Sequence, residues 1–167
     1  MKRLLAILLL SANLWCATKV PRPEILGIGL GMTYQEAHAK LTRIGEFKNQ
    51  DEDQEVWTLH SDPHYQTLIV GFDRERRVRY VTALANPRGE AVDYSDLGDV
   101  RTATSSGGPG NLVFTWKSQN QKKHIDYLAI ARGSDPHRLL SYSVKRLGVK
   151  TEDPDQEKEP TSKKPRR

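Results

Sequence analysis

The chain has 167 residues, of which 37% are hydrophobic and 28% charged, with a formal net charge of +5 and one cysteine. Residues 19–147 hold 18 bases against 16 acids, so the excess positive charge sits at the ends and the concentrated field of a nucleic-acid-binding surface is excluded. Cys16 is the only thiol, which rules out an internal disulfide and leaves core packing to hold the fold.

Residues 1–18 read as a signal peptide, because Lys2 and Arg3 precede the apolar run Leu4 to Leu10 and a small-residue region starts at Ser11. A helix that crosses a hydrocarbon core of about 30 Å needs roughly 20 apolar residues, and no stretch of this chain approaches that. The expectation is an exported, periplasmic or secreted protein with no transmembrane segment in its mature form. Cys16 supplies the alternative of a lipidated outer-envelope lipoprotein. Asn13, Leu14 and bulky Trp15 depart from the small residues that precede a lipidated cysteine, which favours soluble export. Residues 19–24, with Pro21 and Pro23, form a stiff spacer.

A helix is the first predicted element. Thr33 is a good N-cap with Glu36 as its capping-box partner, Met32 can staple against Ala37, and Tyr34, Ala37, Leu41 and Ile44 share one face before Gly45 ends the run. The polar stretch Glu46 to Gln54 reads as a solvated connection. Strands are expected at 55–60, 66–72 and 77–84, separated by the turn sequences Ser61-Asp62-Pro63-His64 and Asp73-Arg74-Glu75-Arg76. In the third strand Val78, Tyr80, Thr82 and Leu84 share one face opposite Arg77, Arg79, Val81 and Ala83, with Arg77 and Arg79 read as a solvated edge or face. Residues 86–110 form a Gly-, Pro- and Ser-rich connection with a short strand at 100–104.

A second meander is expected at 112–117, 124–131 and 139–146, its last strand alternating Leu140, Tyr142 and Val144 with Ser141, Ser143 and Lys145. Ser-Asp-Pro-His occurs at 61–64 and again at 134–137, 73 residues on, whereas matching the meanders strand for strand gives offsets of 57 to 62. The tetrapeptides therefore read as recurrent turn chemistry. Residues 148–167 are a charged, apolar-poor tail expected to be disordered. The expected fold class is α+β: residues 25–147 form a single domain with one main helix packed on a mostly antiparallel sheet of five to seven strands.

Few residues point to chemistry. Gly27, Gly29 and Gly31 lack the third glycine of a dinucleotide fingerprint, and no crossover unit follows. His60, His64 and Asp62 flank one turn and are the candidate metal ligands, without a further ligand at a defined spacing. Asp51, Asp53 and Glu55 alternate like part of a calcium loop but lack its glycine and terminal glutamate, and read as a solvated loop. No cofactor is implied. Nucleophile elbow and zinc-helix motifs are missing from the sequence, so hydrolysis would need Ser105, Ser106, Asp99, His124 and Asp126 to converge. Trp57, Trp116, Tyr80, Tyr127 and Tyr142 fall on strands, as packing residues or as an aromatic patch for a protein partner.

Leu30-Gly31-Met32-Thr33, the helix, Gly45, Leu68-Ile69-Val70-Gly71-Phe72-Asp73 and Val78-Arg79-Tyr80-Val81 together resemble the SmpA/OmlA-type (BamE-like) domains of bacterial envelope lipoproteins. The same helix-then-sheet unit occurs in β-lactamase-inhibitor-like proteins. The resemblance covers residues 25–84, departs at the cysteine motif and has one helix where that family has two. It implies an accessory or binding role without catalysis and carries over no functional residue. The expected function is thus a non-catalytic envelope or secreted protein whose partner is another envelope or extracellular protein. A small exported hydrolase using turn-located His60, His64 or His124 is one rival, and an inhibitor of a secreted enzyme is another.

Overall fold

The computed structural model describes residues 18–51, 53–108 and 110–148. The expected leader through Ala17, Cys16 included, and the charged tail from residue 149 lie outside the described residues.

Strands β1 (Glu24–Ile25) and β2 (Ile28–Gly29) pair as a hairpin whose two turn residues, Leu26 and Gly27, both have positive φ, the backbone that a two-residue turn between twisted strands requires. Helix α1 (Tyr34–Ile44) follows with its capping box closed: Thr33 Oγ1 accepts from the Glu36 amide and the Glu36 carboxylate accepts from the Thr33 amide at 2.9 Å. Four strands then run as a meander: β3 (Gly45–Asp51), β4 (Gln54–Leu59), β5 (Tyr65–Phe72) and β6 (Val78–Ala85). The connection to the second half holds the short helix α2 (Tyr94–Leu97) and a 3-10 turn at Val100–Thr102. A second meander closes the chain: β7 (Thr104–Gly108), β8 (Asn111–Asn120), β9 (Ile125–Asp135) and β10 (Arg138–Arg146).

All eight long strands belong to one antiparallel sheet in the order β3-β4-β5-β6-β10-β9-β8-β7. The expected α+β class is therefore corrected: the described chain is mostly β, 54% strand and 14% helix, with one substantial helix and a sheet larger than the five to seven strands expected. The two additional strands are the edges. Beyond Gly45, β3 is exposed along its whole length, as is β7, so neither buries an apolar side and neither carries the alternation that marks a strand in sequence. Their charged, Ser and Gly residues suit an edge that must not recruit further strands.

The face assignment of β6 is also corrected. Phe72 pairs with Val78 whereas Gly71 pairs with Tyr80, so Arg79 is an extra residue in a β-bulge and the alternation changes phase there. Beyond the bulge, fully buried Val81 and Ala83 point into the core while Tyr80, Thr82 and Leu84 take the other face.

The two meanders repeat one another in register. Val70, Val81, Ala83 and Leu68 in the first half correspond to Ala131, Tyr142, Val144 and Ala129 in the second, each 61 residues on, and Trp57 corresponds to Trp116. At the seam between β6 and β10, Ala83 faces Tyr142 and Val81 faces Val144, and the Thr82 and Ser143 hydroxyls meet at 2.9 Å on the pseudo-two-fold axis. Because the offset of 61 maps Thr82 onto Ser143, exchanging the halves leaves every pairing at the seam in place.

One sheet face is covered. Trp57, Leu68, Val70, Phe72, Val81, Ala83, Tyr127, Ala129 and Val144 pack there beneath Ala37 and Leu41 of α1 and Ile25, Ile28 and Leu30 around the hairpin. Over the second meander the cover is the connection: Tyr94 lies 4.8 Å from the Phe114 ring, and Trp116 Nε1 donates to the Asp99 carbonyl.

Candidate functional site: the open face of the sheet

Strand alternation sends every second side chain to the face opposite the core. None of the described helices or hairpins packs on that side: α1, the β1–β2 hairpin and α2 all lie against the Trp57–Trp116 face. Its central cross-strand row runs Thr115, Ile130, Ser143, Thr82, Ile69, Val56, each half-buried by its neighbours on the sheet. The flanking rows carry Val113, Leu84 and Thr67 on one side and Leu128 and Tyr80 on the other. Exposed Lys117, Arg132 and Lys145 stand on the second meander with Asp126, and at the β3 edge Lys48 pairs with Glu46 at 3.0 Å beside Asp51, so the strip is apolar and hydroxyl-bearing with charged residues of both signs at its rims.

Tyr80 is fixed on this face by its own strand neighbours. Its ring covers Gly71, where a built Cβ would sit 2.0 Å from Tyr80 Cε1, and its hydroxyl donates to Gln54 Oε1. A side chain at Gly71 would thus have to displace the Tyr80 ring from this position. The other aromatic binding candidates lie elsewhere: Trp57, Trp116 and Tyr127 are buried in the core, with 2%, 3% and 2% of their surface exposed.

The metal candidates do not form a site. Asp62 accepts from the His64 and Tyr65 amides in an Asx turn, His64 Nδ1 lies 3.3 Å from the Glu90 carbonyl, and His60 is exposed at the end of β4. Among the described residues no group of three or more His, Cys, Asp or Glu side chains gathers around a common point. The hydrolase candidates are spread along the sheet as well. Ser105 of β7 faces Phe114 of β8, while His124 lies in the β8–β9 turn beside Asn120 at the far end of β8, about 20 Å away at roughly 3.3 Å per residue. Thr58 and Val113 share one cross-strand row, so His60 and His64 lie at the end of the sheet opposite His124. The Asp99 carboxylate is held below the usual range by hydrogen bonds from the Arg101 side chain and amide.

Both Ser-Asp-Pro-His turns fall at that same end of the sheet, and each grips the 86–93 connection. Pro63 O accepts from the Glu90 amide at 2.8 Å in the first turn; in the second, Asp135 caps the His137 amide and His137 Nδ1 stands 3.8 Å from Asp93. Their likeness is a shared task.

Sequence reasoning missed one constellation entirely. Glu55, the first residue of the expected 55–60 strand but grouped with Asp51 and Asp53 as solvated, is only 1% exposed, because β4 turns its carboxylate under α1. Its Oε2 accepts from Trp57 Nε1 at 3.0 Å and lies 3.6 Å from His38 Nδ1, which has no hydrogen-bond partner. The Tyr34 phenol is raised above its usual pKa chiefly by its interaction with this carboxylate, with the Arg76 guanidinium stacked 3.9 Å from the Tyr34 ring centroid. Glu55 and Trp57 at i and i+2, opposite the outward Val56, are legible in retrospect as one face of a strand. Comparisons with family models, with curated proteins and with solved structures find no match to this chain.

Proposed function

We propose that this is an exported, non-catalytic protein that binds another envelope or extracellular protein, directly or as an accessory to its assembly, through the open face of the sheet. One observation carries the reading: among the described residues, a strip six strands wide, with Val56, Ile69 and Ile130 at its centre, is left uncovered while the described covering elements pack on the opposite side. Contiguous half-apolar surface rimmed by charge is what a protein partner buries. Export rests on the amino-terminal sequence. An inhibitor of a secreted enzyme would use the same surface, whereas a hydrolase would need residues that lie at opposite ends of the sheet.

The test is capture from an envelope extract of the native host with the wild-type chain, the double variant Ile69→Lys/Ile130→Lys, and Val100→Lys as an exposed control on the other side. The expected result is a protein retained by wild type and control and released by the double variant, with the bait itself recovered from the envelope or medium. Retention indifferent to the double variant, or recovery of the intact precursor from the cytosol, would overturn the proposal. Loss of a captured enzyme's activity on binding would mark the inhibitor form of it.

A further inference from the structure

The segment before the hairpin crosses the covered side of the sheet without filling it. It is held at several points: Tyr127 donates to the Pro21 carbonyl, the Asp99 amide to the Lys19 carbonyl at 2.8 Å, the Leu30 amide to the Pro23 carbonyl at 3.0 Å, and Lys19 Nζ to the Ser95 carbonyl. Between this strap, the hairpin and α2 remains a cleft of about 640 Å³, within the size range of small-molecule sites.

Its floor is two tyrosines, Tyr65 of β5 and Tyr142 of β10, one from each meander, 7% and 5% exposed. Neither hydroxyl has a hydrogen-bond partner among the described residues, although Tyr94 and Tyr127, on the same side of the sheet, have both found carbonyls. Because neither is a buried, unsatisfied atom, both hydroxyls open onto the cleft, where they are free to donate to a molecule seated there. Burial first, then the nearby Asp62 and Asp96 charges, pushes Tyr65 up to about 12, and burial together with Tyr65 and Tyr127 raises Tyr142 as well, so both remain neutral donors at ordinary pH. The lining is mixed: Val20, Ile25, Leu26 and Leu97 supply its apolar part, and Lys19 and Arg22 balance Glu24 and Asp96 around them.

We infer that this cleft is a binding site for a small organic ligand of no net charge, with an apolar body seated between the strap and the hairpin and a carbonyl oxygen that accepts from Tyr65 and Tyr142. The site lies on the side of the sheet away from the open face, and its occupancy does not depend on the protein-binding reading.

Benzylacetone, an aryl ketone, is a suitable probe. Titrated into the isotope-labelled full chain, it should give saturable amide shifts confined to Ile25, Leu26, Tyr65, Leu97, Tyr142 and their neighbours, with a dissociation constant of about 1 mM or below. Tyr65→Phe and Tyr142→Phe each remove one oxygen atom and no packing volume. Each single variant should bind severalfold more weakly and the double variant about tenfold more weakly, with folded-state spectra unchanged. No saturable shift at these residues up to about 10 mM, or equal affinity in the folded Phe variants, would overturn the assignment.

Discussion

Glu55 and Trp57 offer the sharpest test of the packing described here. Trp57 is 2% exposed and donates its indole N–H to a carboxylate that is 1% exposed, at 3.0 Å. A hydrogen bond to a charged group contributes about 1.5–3 kcal/mol, and a buried donor left alone costs about 1–3 kcal/mol. Glu55→Gln keeps an acceptor oxygen and loses only the charge assistance, so it should cost about 1 kcal/mol. Glu55→Leu orphans the indole, but it also removes a charge that was expensive to bury, and its own cost is a mixture of the two. The decisive quantity is therefore the coupling. Trp57→Phe should cost about 3 kcal/mol with Glu55 present, through lost volume and an undersatisfied carboxylate, and about 1.5–3 kcal/mol less in the Glu55→Leu background. Urea unfolding of wild type, Glu55→Leu, Trp57→Phe and the double variant at neutral pH measures this, since 2 kcal/mol moves the midpoint by about 1 M. Costs that add within about 0.5 kcal/mol would refute the reasoning, because residues that share a buried hydrogen bond do not behave independently.

The remaining predictions follow from single contacts. The Glu36 carboxyl pKa is lowered by the Thr33 amide and hydroxyl, so its contribution is present above the unfolded value near 4.5 and lost as pH falls through the folded value; the stability gap between wild type and Glu36→Gln, measured by denaturation, should shrink below about pH 4. Tyr65 has a folded pKa of about 12 against 10.0 when unfolded, so its contribution is intact below pH 10 and disappears as pH rises towards 12; tyrosinate absorbance should show Tyr65 ionising together with unfolding, and Tyr65→Phe should remove that component. Gly71→Ala should destabilise by about 1–3 kcal/mol through its clash with Tyr80, and Tyr80→Ala in the same chain should recover most of the loss in thermal unfolding. Asp62→Ala, which strips an acceptor from two amides, should loosen the 86–93 connection in hydrogen exchange more than Asp135→Ala, which strips it from one.

What the sequence disclosed follows the strength of its local signals. The Thr33–Glu36 capping box and the α1 face were legible because both are set by residues within one turn. The inner strands were legible where they alternate; β10 does so from Ser141 with Tyr142 and Val144 inward, but a bulge between Leu139 and Ser141 turns Leu139 in and leaves Leu140, expected on the same face as Tyr142, 52% exposed. Edge strands β3 and β7 were not legible, since a strand with no buried side chain has no period to detect. The phase of β6 was misread because a bulge at Arg79 shifts the alternation by one residue, and Arg79 looks no different in sequence from a solvated arginine. The open face eluded the sequence for a different reason: alternation sorts Val56, Ile69 and Ile130 from Trp57, Val70 and Ala129, but which set is covered depends on where α1 and the hairpin settle. Glu55 escaped because carboxylates on a run of acids are usually solvated, and only the inward Trp57 and Leu59 that follow it at every second position argued otherwise.

The matched register across the β6–β10 seam gives this single chain the internal logic of a two-subunit assembly. Each half ends in a strand with a buried apolar side, Val78, Val81 and Ala83 in β6 and Leu139, Tyr142 and Val144 in β10, the kind whose free hydrogen-bonding groups would adhere to any passing chain, and each half caps that strand with the other's. The polar, glycine-bearing strands are consigned to the outer rims, where adhesion would be harmful. Joining the halves in one polypeptide thus makes self-recognition an intramolecular event, complete before a neighbouring molecule can compete for it.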